Sequence, residues 1–193
     1  MTLAHLQLLD AGYDWSPDGG RTFPYRGRGL RVPALEEVLA AFPATPLLVE
    51  LKDDDPRLAE AVAELLRRHR AGSRVMVSSF HDAVIARFRA IAPEMATGLP
   101  RGEALAFVIT QRLGLWNFQR PNGHALQVPE WYGPLKVVSP GMVRAAHERG
   151  LEVHVWTVDD PRDMERLLRY GVDGLITDFP DRARQVVDRV AGR

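Results

Sequence analysis

Short apolar runs alternate with amphipathic segments along most of this chain, and this alternation limits the possible folds more than any other feature. Three of the amphipathic segments begin with a polar residue followed by proline, which suits a helix N-cap and the first helical position. These pairs are Asp55-Pro56, Ser139-Pro140 and Asp160-Pro161. Strands that are joined through helices run parallel, with right-handed crossovers. The sequence therefore predicts an α/β fold.

Six strands are predicted, each in a short apolar run that precedes a helix. They lie in LLVELK (47–52), RVMVSSF (74–80), MATGLP (95–100), ALQVP (125–129), LEVHVWTV (151–158) and DGLITDF (173–179). In an open doubly wound sheet, inner strands are apolar on both faces, whereas barrel strands turn one face to the helices and the other to the interior.

The first strand favours a barrel. Alternate residues of 47–52 are Leu, Val and Leu, while the others are Leu, Glu50 and Lys52, so one face becomes polar towards the carboxyl end. A (β/α)8 barrel needs eight strands and typically about 250 residues. We therefore expect a TIM-type barrel with about six of its eight βα units, lacking the first two, as one domain over residues 1–193.

Composition excludes several classes of function. The 193 residues are 46% hydrophobic and carry 25 basic and 25 acidic side chains, so no overall field attracts nucleic acid or an anionic membrane. There is no cysteine, and no run approaches the ~20 apolar residues of a membrane span. The start of the chain has no signal-peptide pattern, from which we expect a cytoplasmic protein.

Several segments together resemble a known family. They are VPALEEVLAAFP, LLVELK, VMVSSF with APEMATGLP, and HERGLEVHVWTVDDPRDMERLLRYGVDGLITDFPD. In this order and at these spacings, the chain is similar to the second half of glycerophosphodiester phosphodiesterases. The resemblance implies a (β/α)8 barrel that hydrolyses glycerophosphodiesters to glycerol 3-phosphate and an alcohol, with a divalent cation, calcium or magnesium, as cofactor.

The resemblance also assigns three site residues. Glu50 corresponds to a metal ligand, Lys52 to a lysine close to the phosphate, and Trp156 to a tryptophan that lines the substrate cleft. Carboxylate oxygens suit a hard cation, and a lysine supplies a compact positive charge to a phosphate. An aromatic face gives a small ligand an apolar wall.

Other motifs of the family are not found in the sequence. Its first strand ends in His-Arg, a Glu-x-Asp pair follows, and two histidines act as general acid and base. His69, at the end of a predicted helix, and His81, in the SSF unit, only imitate these motifs. We therefore expect impaired activity from the chain alone, and weak or absent binding of the divalent cation, which takes six or more oxygen ligands. The alternative is a non-catalytic remnant that binds phosphorylated small molecules or a partner chain, and exposed barrel edges predict oligomerisation.

Each site residue also has a purely structural interpretation. Glu50 and Lys52 suit an exposed edge strand or an internal ion pair, and Trp156 suits a plug in the barrel. His154, one layer deeper, is typical of a core histidine with hydrogen-bond partners. His81 lies just past a strand end, where a substitute acid or base could act.

Overall fold

The computed structural model describes residues 1–115 and 120–192, in which eight helices and eight strands occur. The helices are α1 (Leu3–Leu6), α2 (Leu35–Ala41), α3 (Pro56–Arg68), α4 (Asp82–Ile91), α5 (Arg101–Arg112), α6 (Pro140–His147), α7 (Pro161–Tyr170) and α8 (Pro180–Val190). The strands are β1 (Leu47–Glu50), β2 (Val75–Ser78), β3 (Ala96–Thr97), β4 (Ala125–Pro129), β5 (Trp131–Tyr132), β6 (Leu135–Lys136), β7 (Glu152–Trp156) and β8 (Gly174–Leu175).

Six parallel strands form the sheet, and they are the six that the sequence predicts. Their order is β1-β2-β3 in one part and β4-β7-β8 in the other. A parallel bridge between Gly98 and Ala125 joins the two parts. The α/β prediction is confirmed. Within residues 1–115 and 120–192, no strand pairs with the outer side of β1 or β8, so closure into a barrel stays a prediction.

The two faces of the sheet differ as the first strand predicts. Leu47, Val49 and Leu51 pack with the apolar residues of α3 and α4 in one core cluster. A second cluster surrounds β4 and β7 and includes the fully buried Val153 and Val155. The opposite face carries the polar residues, so the helices cover one side of the sheet and the candidate site lies on the other.

Local chemistry determines where the helices begin and end. The side chains of Asp55, Ser139 and Asp160 each accept a backbone N–H in the first turn of α3, α6 and α7, as the sequence predicts. Gly171 ends α7 in the left-handed conformation, with φ of 90°. The sequence predicts that α3 ends at Gly72, but it ends four residues earlier, where the chain turns through a left-handed residue and the N–H of Ala71 donates to the carbonyl of Leu66.

An antiparallel hairpin of β5 and β6, residues 131–136, is absent from the prediction. Its strands are two residues long, which is too short for any hydrophobic period to appear. It lies between α5 and α7, because Arg112 donates to the carbonyl of Lys136 and Arg166 donates to the carboxylate of Glu130. The hairpin and the residue before it are therefore tied to two separate helices.

The Glu130–Arg166 ion pair predicts a pH-dependent stability. Hydrogen bonds from Arg166 and the positive charge of Lys136 lower the pKa of the Glu130 carboxyl below its ordinary 4.5, and its side chain is only 12% exposed. A carboxyl with a lowered pKa stabilises the fold above its ordinary pKa and loses this contribution as the pH falls through the lowered value. In urea unfolding, Glu130→Gln should cost about 1 kcal/mol at pH 7.

At a pH below the ordinary value of 4.5, the same substitution should cost less than at pH 7, because the pH then approaches the lowered pKa and the wild-type carboxyl becomes protonated. Asp163 also contacts Arg166, so some charge pairing persists in the variant. The surface substitution Glu60→Gln, in an exposed pair with Arg87, provides the control. An equal loss of stability for Glu130→Gln at both pH values would contradict the lowered pKa of the Glu130 carboxyl.

Candidate active site at the carboxyl end of the sheet

Glu50 and Lys52 stand at the carboxyl end of β1, on the face opposite the helices. Lys52 Nζ lies 2.6 Å from Glu50 Oε2, so the two side chains form an ion pair. The glutamate side chain is 31% exposed and the lysine 76%, which leaves the ammonium group accessible to a ligand in solution. The other glutamate oxygen, Oε1, is buried and has no hydrogen-bond partner among residues 1–115 and 120–192. Thus the ion pair exists before any ligand binds, and the buried Oε1 atom has lost its water contacts without gaining a hydrogen bond from the described residues.

Trp156 ends β7 and contacts an aromatic residue from the other part of the sheet. The rings of Phe80 and Trp156 are 5.7 Å apart at 86°, an edge-to-face arrangement. Phe80 follows β2, whose last residue, Ser78, is in register with Glu50. Trp156 is partly exposed, so it is not a fully buried plug. The contact forms an aromatic wall at the same end of the sheet as Glu50.

Phe80 is a site residue that sequence reasoning missed. It belongs to the SSF segment at a predicted strand end, and that position was the only available signal. The neighbouring Ser79 Oγ donates to the carbonyl of Leu51 and accepts the N–H of His81. This buried hydroxyl fixes the segment after β2 against the segment after β1, and so holds Phe80 in place.

A polar cluster lies one layer deeper on the same face. The ring nitrogens of His154 contact Gln127 Nε2 at 3.2 Å and Glu152 Oε2 at 3.1 Å. A Cβ atom at Gly174 would lie 2.7 Å from the imidazole, so only glycine fits beside it. His154 therefore has the hydrogen-bond partners expected of a core histidine.

The histidine motifs also lie where the sequence indicates. His69 follows α3, at the amino end of the strands, and contacts Glu36 at 3.1 Å. His81 is the N-cap residue of α4. It directly follows Phe80 and lies at the carboxyl end of the sheet. It is therefore placed near the candidate site, and its ring has no hydrogen-bond partner among the described residues.

A divalent cation would find one suitable ligand here. The unpartnered Oε1 atom of Glu50 is a donor of the kind that calcium and magnesium take. However, the residues in 1–115 and 120–192 contain no group of three or more His, Asp or Glu side chains that could hold a metal ion. Because such cations take six or more oxygen ligands, the described residues do not complete a cation site.

Comparison with known proteins decides the family. The model of the glycerophosphoryl diester phosphodiesterase family matches residues 1–182. This chain belongs to that family. The resemblance inferred from the sequence motifs is confirmed, and several of its relatives are named as glycerophosphodiester phosphodiesterases.

Relatives and solved structures agree with the family assignment. A phosphodiesterase of Mycobacterium tuberculosis is 32% identical over 166 residues, which cover 83% of this chain and 62% of that protein. A solved family member from Silicibacter pomeroyi is 30% identical with a TM-score of 0.67, and the match covers 90% of this chain and 63% of that one. An Oleispira antarctica phosphodiesterase, solved with the product sn-glycerol-3-phosphate, is 21% identical with a TM-score of 0.69, covering 97% and 71%.

These matches cover less than two thirds of the Mycobacterium and Silicibacter proteins. The roles of Glu50, Lys52 and Trp156 in this glycerophosphodiester phosphodiesterase family member stay predictions. No helix within the described ranges has both the length and the apolar character needed to cross a membrane.

Proposed function

We propose that this protein hydrolyses glycerophosphodiesters. Water adds to the phosphorus atom, the bond to the alcohol oxygen breaks, and glycerol 3-phosphate and a free alcohol leave. Membership of the glycerophosphoryl diester phosphodiesterase family is the observation that carries this proposal. The product bound in the Oleispira antarctica neighbour supports the same substrate class. The named relatives are enzymes, which does not favour the non-catalytic remnant as an alternative.

In this proposal Lys52 binds the phosphate. Its ammonium group is largely exposed and lies at the carboxyl end of the sheet, where active sites of such folds lie. A phosphate oxygen would compete with the Glu50 carboxylate for the ammonium group of Lys52. A cation bound at Glu50 Oε1 would then offset the negative charges of the carboxylate and the phosphate. No proton transfer is assigned to Lys52.

The aromatic wall binds the glycerol moiety in the same proposal. The rings of Phe80 and Trp156 pack edge to face, and each is at least partly exposed, so both can contact a ligand. Phe80 follows β2 and Trp156 ends β7, so each of the two parts of the sheet contributes one ring. This wall excludes water from one side of the bound diester.

We also propose that residues 1–193 hold only part of the catalytic set, as expected for a domain without the first two βα units. Among the described residues, His81 alone of the histidines lies at the carboxyl end of a sheet strand. Proton transfer by a positioned acid or base contributes roughly 10²- to 10⁴-fold to a rate. The 193-residue chain should therefore hydrolyse glycerophosphocholine at least about 100-fold more slowly than a relative with both histidines.

The binding role of Lys52 can be tested separately from turnover. With Lys52→Met, the Kd for glycerol 3-phosphate, measured by isothermal titration calorimetry, should rise about tenfold, because a charge-assisted hydrogen bond to phosphate is lost. Arg68→Met, which removes an exposed cation from the last turn of α3 at the amino end of the strands, should leave the Kd unchanged. Equal affinity of the wild type and Lys52→Met for glycerol 3-phosphate would show that Lys52 does not bind the phosphate. The hydrolysis itself is tested separately, by measuring the release of glycerol 3-phosphate from glycerophosphocholine.

A further inference from the structure

One side of α5 carries an apolar stripe that faces away from the core. Leu105, Ile109 and Leu113 stand four residues apart, so they lie along one side of the helix. The opposite side packs into the core through Phe107, which is fully buried. Exposed apolar residues that occur singly are ordinary, but a continuous stripe marks a contact surface.

The β5–β6 hairpin extends this stripe. Arg112 in the last turn of α5 donates to the carbonyl of Lys136, which holds the hairpin beside the end of the helix. We define the α5–hairpin patch as Leu105, Ile109, Leu113, Trp131, Tyr132 and Leu135. Each of these six side chains is between 40% and 66% exposed. The patch therefore combines aliphatic residues with a tryptophan and a tyrosine.

Cationic residues border the α5–hairpin patch. They are Arg101 at the start of α5, Arg112 at its end and Lys136 in β6, whose ammonium group lies 5.5 Å from the ring centre of Trp131. The neighbouring carboxylates are engaged: Glu103 pairs with an arginine of α4, and Glu130 pairs with one of α7 and lies 3.8 Å from the ammonium group of Lys136. An apolar centre with a positive margin results, although the chain as a whole has no net charge.

We propose that the α5–hairpin patch binds the surface of an anionic lipid bilayer. Aliphatic side chains would enter the boundary of the acyl region, and tryptophan and tyrosine prefer the headgroup level because each ring has an apolar body and a polar tip. Arginine and lysine at the margin would contact anionic headgroups. The proposal stands independently of the proposed hydrolytic activity.

Charge disfavours a second copy of the chain as the occupant. In a twofold symmetric contact the same patch meets itself, so one interface would hold both sets of bordering cations, which repel each other. The position of the patch agrees with a lipid surface as well. α5 begins directly after β3, at the carboxyl end of the sheet, so a bilayer on the patch would lie beside the candidate active site.

Vesicle sedimentation tests the proposal directly. We expect the wild-type chain to sediment with vesicles of 70% phosphatidylcholine and 30% phosphatidylglycerol, and to do so less in 0.5 M salt than in 0.05 M salt, because salt screens the headgroup attraction. The double variant Leu105→Ser with Ile109→Ser should bind at least about tenfold more weakly. Vesicles of phosphatidylcholine alone should bind less of the wild-type chain.

A matched control lies on α8, where Val187 and Val190 are each 41% exposed. Their double serine variant should bind vesicles as the wild type does, and circular dichroism should report both double variants as folded. Wild-type chain that stays in solution with the anionic vesicles would overturn the proposal. So would unchanged binding by the α5 variant, or a wild-type dimer that this variant converts to a monomer, because the patch would then join two copies.

Discussion

Phe88→Ala should lower the free energy of unfolding by about 3 to 5 kcal/mol. Phe88 lies in α4 and is fully buried in the cluster that joins α3 and α4 to β1 and β2. Removing a buried aromatic ring loses its transfer free energy and leaves a cavity that the neighbouring helices fill only in part. Since whole domains are stable by about 5 to 15 kcal/mol, this single loss is large.

Urea unfolding at pH 7, followed by circular dichroism, measures this effect. The control is Phe42→Ala, which removes the same atoms from a ring that is 53% exposed and should change stability by about 0.5 kcal/mol or less. Phe88→Leu retains most of the volume and should cost markedly less than the alanine variant, so a measurable value remains if Phe88→Ala fails to fold. Similar losses for Phe88→Ala and Phe42→Ala would show that the α3–α4 cluster does not support the fold.

The parts of the fold that were predicted from sequence depend on neighbouring residues. The caps at Asp55, Ser139 and Asp160 act within one helical turn, and the alternation in β1 repeats every second residue. Such signals are visible in a short window of sequence. They were sufficient for the six parallel strands and for the side of β1 on which Glu50 lies.

The remaining features depend on residues that are distant in the sequence. The Phe80–Trp156 contact joins two rings that are 76 residues apart in the sequence, and nothing local to either ring indicates the other. Likewise, the hairpin is held by Arg112 and Arg166 from two separate helices. Contacts of this kind appear only when the chain has folded, which is why the aromatic wall was found in the structure and not in the sequence.

The Glu50–Lys52 pair lies between these two cases. The sequence left open an edge strand, an internal ion pair and a metal and phosphate site, and β1 is both an edge strand and the location of the ion pair. The buried, unpartnered Oε1 of Glu50 is the feature that an ion pair alone leaves unexplained. An uncompensated carboxylate oxygen costs free energy, so a ligand that binds it would recover that cost.

Glu50→Gln should therefore abolish the effect of calcium on ligand binding. We expect 5 mM calcium to lower the Kd of the wild-type chain for glycerol 3-phosphate at least about tenfold, which is 1.4 kcal/mol of coupling between the two ligands. The phosphate would supply oxygens that the described residues lack, while Glu50 supplies one carboxylate. The amide of glutamine keeps the shape of the side chain and removes its charge, so the coupling should vanish and the Kd measured without calcium should change much less.

Isothermal titration calorimetry with and without calcium measures this coupling, and magnesium provides a second cation. Glu60→Gln, which neutralises an exposed carboxylate on α3, is the matched control and should retain the full calcium effect. Thermal unfolding without calcium adds an independent readout: because Glu50→Gln removes a charge whose Oε1 is buried without a partner, its Tm should equal or exceed that of the wild type. Two results would show that Glu50 is not a cation ligand and that its pairing with Lys52 is structural. One is a wild-type Kd for glycerol 3-phosphate that calcium does not change. The other is a Glu50→Gln variant whose Kd still falls with calcium.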